Sequence, residues 1–233
     1  MSGLSTEARR FASDALAAVA DQSKAAGMQA YMKTDMPFYG VQKPARARIL
    51  RELVLRFRPP DRAGYEGLVV ALWQLPHREE KYLALGVARH FPEYVVPAML
   101  PLYRSLIVEG AWWDLVDEVA THLIRDLVVG RPDEVWPTVD TWIDDDDMWL
   151  RRTAIICQVG AKESTDAARL FRFCEERAFD REFFIRKAIG WALRQHARFD
   201  PAAVARFVHE HRDQLSGLSY REATKHIGHL LGS

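Results

Sequence analysis

The chain has 233 residues, of which 48% are hydrophobic and 27% charged, and its 32 basic side chains balance 32 acidic ones. That composition is the one of a soluble globular protein and excludes disorder, collagen-like repeats and fibres. Two cysteines, Cys157 and Cys174, lack CxxC spacing, so a secreted disulfide framework is excluded and reduced, partly buried thiols are expected.

The N-terminal stretch MSGLSTEARRFASDALAAVADQ mixes acids and bases and lacks the apolar h-region of a signal peptide, so it is expected to stay in the mature protein. No window approaches the ~18 consecutive apolar residues of a membrane span, and a cytoplasmic location follows as the expectation. From Tyr31 to Arg58 seven Lys/Arg face only Asp35 and Glu52. From Met148 to Arg194 ten basic residues face six acids, whereas Asp133 to Asp147 holds seven acids and no base. A chain neutral in total is thus able to carry a basic face and an acidic back.

Apolar residues recur at three and four, as in Val116, Val119, Ala120, Leu123 and Leu127, or Ile185, Ile189, Ala192 and Leu193. This spacing predicts amphipathic helices, and sustained period-two alternation is missing. Pro44, Pro60, Pro76 and Pro92 stand sixteen residues apart, a rhythm expected of helix starts, where proline's missing N–H leaves no partner wanting. Later punctuation falls at Gly130 with Pro132, Asp144 to Asp147, Ser164 to Asp166, Asp180, Asp200 with Pro201, and Ser216 to Ser219, giving about a dozen helices. Trp73, Trp113, Trp149 and Trp191 are separated by 40, 36 and 42 residues, near the length of a HEAT-type unit. The expected fold is all-α: a single domain over residues 1–233 built as a helical-repeat solenoid, with a concave surface able to cradle a rod-like partner.

Three segments carry unusual side chains. In AWWDLVDEVATHLIRDLV the core stripe of Trp112, Val116, Val119 and Leu123 leaves Trp113 and Asp117, four apart, together on another face. In EFFIRKAIGWALRQ the core stripe is Ile185, Ala188, Ile189 and Ala192, while Lys187, Trp191 and Arg194 line up elsewhere. In MWLRRTAIICQ, Arg151 and Arg152 follow Trp149. An exposed indole is unfavourable in water and is usually retained for binding.

The stretches YMKTDMPFYGVQKPARARIL, WWDLVDEVA, WLRRTAIICQ, EFFIRKAIGWALRQ and SYREATKHI, in this order, resemble the AlkD-type family of DNA alkylation-repair glycosylases, with a recognisable core from about residue 31 to 227. The resemblance implies a HEAT-like repeat enzyme with a concave DNA-binding face that hydrolyses the N-glycosidic bond of cationic N3- or N7-alkylated purines in duplex DNA, as a monomer, without metal or other cofactor, associated with the nucleoid when bound. It also implies a role for each matching residue: Asp117 as the catalytic carboxylate, Trp113 and Trp191 as the aromatic pair around the lesion, Arg152 and Arg194 at the DNA backbone, and Tyr31 and Gln42 as further DNA-facing residues. Lys187 and Arg151 join the DNA-binding set from their positions beside Trp191 and Arg152. Neutral net charge departs from the basic character expected of such a protein and implies weaker or more salt-sensitive non-specific binding. The alternative is a non-catalytic helical-repeat module that holds DNA or a protein.

Other sites find less support. The run Asp144 to Asp147 lacks the glycine and distal Glu of a Ca²⁺ loop and reads as a helix cap. His209, Glu210, His211, His226 and His229 have no HExxH or Cys/His partner set. Nucleotide-loop and nucleophile-elbow motifs are missing.

Overall fold

The computed structural model describes residues 3–231, and every regular element among them is helical. The chain divides into two compact units, which meet in sequence at Met99 and Leu100.

The first unit contains α1 (Gly3–Ala17), α2 (Gln22–Met32), α3 (Lys43–Arg56), α4 (Arg62–Trp73) and α5 (Arg78–His90). Helix α1 packs on α3, α4 and α5, and α5 packs on α3 and α4. Their shared core includes Leu16, Leu53, Tyr65, Leu68, Leu72 and Leu83, all fully buried. The proline rhythm falls at helix starts: Pro44 lies in the first turn of α3, Pro60 and Pro76 stand just before the N-caps Asp61 and His77, and Pro92 opens a 3₁₀ turn over Pro92–Tyr94.

The second unit contains α6 (Leu100–Gly110), α7 (Trp113–Glu118), a π turn (Val119–Ile124), α8 (Arg125–Gly130), α9 (Pro132–Trp142), α10 (Met148–Ile156), α11 (Ala167–Glu176), α12 (Phe183–His196), α13 (Pro201–Glu210) and α14 (Gly217–Ala223). Helix α10 packs on α6, α7, α9, α11 and α12, and α12 packs on α11, α13 and α14. Each helix thus buries its apolar stripe against a few near neighbours, the logic of a helical repeat. The expected stripe Val116, Val119, Ala120, Leu123 and Leu127 is buried throughout.

Short acids and serines set the helix starts. Asp147, Asp166, Asp200 and Ser216 each accept backbone N–H bonds at the N-termini of α10, α11, α13 and α14, a contribution of about 1 kcal/mol per cap. The acidic run at 144–147 therefore ends in a capping residue, Asp147, which accepts from Trp149 N at 2.7 Å and Leu150 N at 3.2 Å. Cys157 and Cys174 are both free and fully buried, and burial pushes both thiols well above their ordinary range. Among the described residues no helix is long and apolar enough to cross a membrane.

Candidate functional site

The second unit brings Asp117 and Arg152 together. Arg152, on α10, donates from Nε to Asp117 Oδ1 and from Nη2 to Asp117 Oδ2, both at 2.8 Å. Its Nη1 donates to the backbone oxygen of Phe184, at the start of α12, at 2.6 Å. One guanidinium thereby ties α7, α10 and α12. Planar two-pronged contact of this kind fixes the carboxylate more tightly than a lysine would. Arg152 is only 5% exposed, with its charged end engaged by protein groups, whereas the Asp117 side chain keeps 17% of its surface open. Burial pushes the Asp117 carboxyl above its ordinary value of 3.8, against the pull of Arg152, and the neighbouring charges of Asp114 and Glu118 push the same way.

The backbone around Asp117 is irregular. Ala111 holds a positive φ of 39° just before the helix, in the left-handed region that costs an L-residue about 1–2 kcal/mol. Beyond Asp117, the Arg125 N–H reaches Ala120 O, five residues back, and Thr121 Oγ1 donates to Asp117 O at 2.7 Å. Such π turns recur at functional sites because the extra residue re-aims the side chains on either side.

The tryptophans divide into two kinds. Trp112, Trp149 and Phe184 form a packed cluster, with ring centroids 6.2, 5.5 and 4.9 Å apart, and the Trp112 indole N–H is buried without an acceptor. Trp73 and Trp149 are buried core residues. Trp113 and Trp191 are half-exposed, and neither ring stacks on another aromatic among the described residues. The four-tryptophan rhythm thus contains two core anchors and two open faces.

On α12, Ile185, Ala188, Ile189 and Ala192 are buried while Lys187, Trp191 and Arg194 are half-exposed. Lys187 and Arg194 share one acceptor, Glu222 of α14: Lys187 Nζ donates to Oε1 at 2.8 Å and Arg194 Nη1 to Oε2. The Lys187 ammonium, with Arg194, holds the Glu222 carboxyl below its ordinary value. Gly190 permits the pairing, because a Cβ there would meet Glu222 Cβ at 2.4 Å and Ser219 O at 2.9 Å. Arg151 turns to the loop before its helix, donating to Asp145 O at 2.8 Å and Asp146 O at 2.9 Å.

In the first unit, Tyr31 and Gln42 line one groove of about 650 Å³ together with Lys24, Met28, Phe38 and Tyr82. Tyr31 is 76% exposed. Gln42 sits at the start of α3, at the end of a turn built by Glu79, whose buried carboxylate accepts the backbone N–H groups of Tyr39 at 3.0 Å and of Gly40 and Val41 at 2.9 Å. Gly40 has a φ of 84°, and a Cβ there would lie 2.0 Å from Asp21 O, so the turn closes only with glycine.

The family model described as a DNA alkylation repair enzyme matches residues 12–227. This chain belongs to that family. Among solved structures, it is similar to a protein described as a predicted DNA alkylation repair enzyme from Enterococcus faecalis, with 27% identity, a TM-score of 0.83, and coverage of 89% of this chain and 96% of that one. The smu.31 protein of Streptococcus mutans UA159 shares the fold at 15% identity and a TM-score of 0.58, covering 79% of this chain and 98% of that one. No curated protein matches the sequence. The AlkD-type resemblance therefore holds, and with it a role in DNA alkylation repair.

In this member of the alkylation repair family, Trp113 and Asp117, which the sequence marks together, both lie on α7. Arg152, which the resemblance implies at the DNA backbone, has its guanidinium turned inward onto Asp117 and Phe184 O. Glu222 and Phe184 carry no such mark in the sequence. Glu222 lies within the quoted SYREATKHI segment, but its pairing with Lys187 across 35 residues has no local signal.

Proposed function

We propose that the protein is a DNA N-glycosylase that releases cationic N3- or N7-alkylated purines from duplex DNA, with Asp117 as the one catalytic carboxylate. A purine alkylated at these positions already carries a positive charge, so it departs as a neutral base and needs no general acid. As the glycosidic bond lengthens, positive charge builds on the deoxyribose. A fixed carboxylate stabilises that charge and orients the attacking water. The observation that carries this reading is the Asp117 carboxylate, gripped at both oxygens by a buried arginine, on a side chain that is not fully enclosed.

Arg152 acts in this scheme as a positioning residue that locks the carboxylate in one rotamer before DNA arrives. Raised proton affinity makes Asp117 a better acceptor for the water's proton. Trp113, one helical turn before Asp117, and Trp191 offer electron-rich faces to the cationic base and sugar, each worth about 0.5–2 kcal/mol of cation–π attraction. Normal purines lack that charge and gain less. Lys187 and Arg194 supply phosphate contacts that position the duplex without reading its sequence, and Tyr31 and Gln42 supply a further DNA contact on the first unit. No metal or cofactor takes part in this scheme.

The test is chromatographic detection of free base after incubation with methylated duplex DNA at low salt without added metal. Release of 7-methylguanine or 3-methyladenine is expected. No release by folded protein shown to bind the same DNA overturns the glycosylase reading and leaves a non-catalytic DNA-binding module.

A further inference from the structure

The turn between α11 and α12 presents two phenyl rings to solvent: Phe179 is 73% exposed and Phe183 58%. Exposed phenyl rings are unfavourable in water, so two open rings a few residues apart call for an occupant. The turn holding them is not loosely attached. Asp180 Oδ1 accepts from Glu182 N at 2.8 Å, Asp180 O accepts from Arg186 Nε at 3.0 Å, and Arg151 Nε lies 3.4 Å from Asp180 Oδ2. Its far end is pinned to the site, because Phe184 O accepts from Arg152 and the Phe184 ring packs on Trp112 and Trp149.

Helical spacing places Phe183 on a particular face. Residues 183, 187, 191 and 194 follow one another at offsets of four, four and three, so Phe183 extends the Lys187, Trp191, Arg194 stripe by one turn toward the helix start. Arg181, between the two phenyls, is exposed and has no ion-pair partner among the described residues. The turn carries aromatic, cation and aromatic at alternate positions, with Asp180 taken up by the turn's own contacts and Glu182 exposed beside Arg181. Its rings and guanidinium, continuous with the face of Lys187 and Arg194, match the chemistry of a nucleic-acid strand. Apolar rings cover sugar or base, and a guanidinium meets phosphate.

We infer that the 179–183 turn is a DNA-contacting element, in which Phe179 and Phe183 pack on the sugar or base edges of nucleotides flanking the lesion and Arg181 holds a phosphate. Its selectivity for damage follows from deformability: a nucleotide beside a weakened or lost base exposes apolar edges that a stacked duplex hides. This inference rests on the DNA-binding part of the proposed function and adds residues to it.

The test uses the full chain with Phe179→Ser and Phe183→Ser combined, and separately Arg181→Ala, binding two duplexes, one undamaged and one with a tetrahydrofuran abasic analogue, across a salt series. The double phenyl variant is expected to lose about tenfold or more in affinity for the abasic duplex with little change for the undamaged one. The slope of log affinity against log salt stays unchanged, since no counterion release is lost. Arg181→Ala is expected to weaken both duplexes and to reduce that slope by about one phosphate contact. Equal affinities of wild type and the double variant for the abasic duplex overturn the inference and point to another occupant, such as a protein. If the wild type itself binds neither duplex, the failure belongs to the proposed function and not to this turn alone. The substituted side chains are exposed, and an unchanged thermal melt confirms that fold loss is not the cause.

Discussion

Two carboxylates, one fully buried and one partly open, show how the same functional group is set to different tasks. Glu79, in the first unit, is fully buried and accepts three backbone N–H groups from one turn. Nothing of it is left to offer a ligand. Asp117, in the second unit, meets a single arginine through both oxygens, and part of its side chain stays open to solvent. A carboxylate sealed by the backbone shapes a turn. One oriented by a side chain and left partly open is available for chemistry.

Removing each partner breaks this comparison in different ways. Arg152→Ala leaves Asp117 in a low-polarity site without its counter-charge, and about 3 kcal/mol or more of stability is expected to go, together with base release. Arg152→Lys, which cannot reproduce the two-pronged contact, is expected to recover stability in part and excision poorly. Thermal melts and single-turnover rates on the same samples read both effects. Glu79→Ala orphans three backbone N–H groups at once, and a loss of about 3 kcal/mol is expected, confined in hydrogen exchange to the first unit. If exchange around α7 and α10 rises equally, the division of labour between the two carboxylates is wrong.

Smaller changes sharpen the picture. Gly190→Ala drives a methyl into Glu222 and Ser219 O, and overpacking of this kind is expected to cost about 1–3 kcal/mol, visible as a lowered melting temperature. The acid limb of the single-turnover rate is expected above 3.8, because Asp117 acts ionised and burial raises its proton affinity. Linkage gives the sign for stability. The folded protein binds this proton more tightly than the unfolded chain, so Asp117 favours folding at low pH and that contribution is lost as pH rises through the raised value. Glu222→Gln releases Lys187 and Arg194 from a competing carboxylate, and a tighter, more salt-dependent grip on DNA of any sequence is expected.

Much of the fold was legible because it depends on local patterns. The apolar stripe from Val116 to Leu127, the caps at Asp147, Asp166 and Asp200, and the missing strands all follow from neighbours within a few residues. That Trp113 and Asp117 lie one turn apart on the same helix was legible for the same reason. Arg152 was not. Sequence presents an arginine beside another arginine, and only the packing of α10 against α7 decides that Arg152 turns inward to Asp117 while Arg151 turns to the carbonyls of Asp145 and Asp146. The tryptophan rhythm likewise gave spacing without burial: Trp73 and Trp149 are core, Trp113 and Trp191 are open. The π turn after Asp117 has no counterpart in a 3.6-residue pattern.

The central claim is that an ionised Asp117, held by Arg152, carries the chemistry while other groups carry the binding. It is tested most directly by comparing wild type with Asp117→Asn on one methylated duplex, measuring affinity and single-turnover base release side by side. The account predicts that affinity is kept while release falls by at least about tenfold, equivalent to about 1.4 kcal/mol of barrier. Release at the wild-type rate by the folded, DNA-bound variant would contradict it.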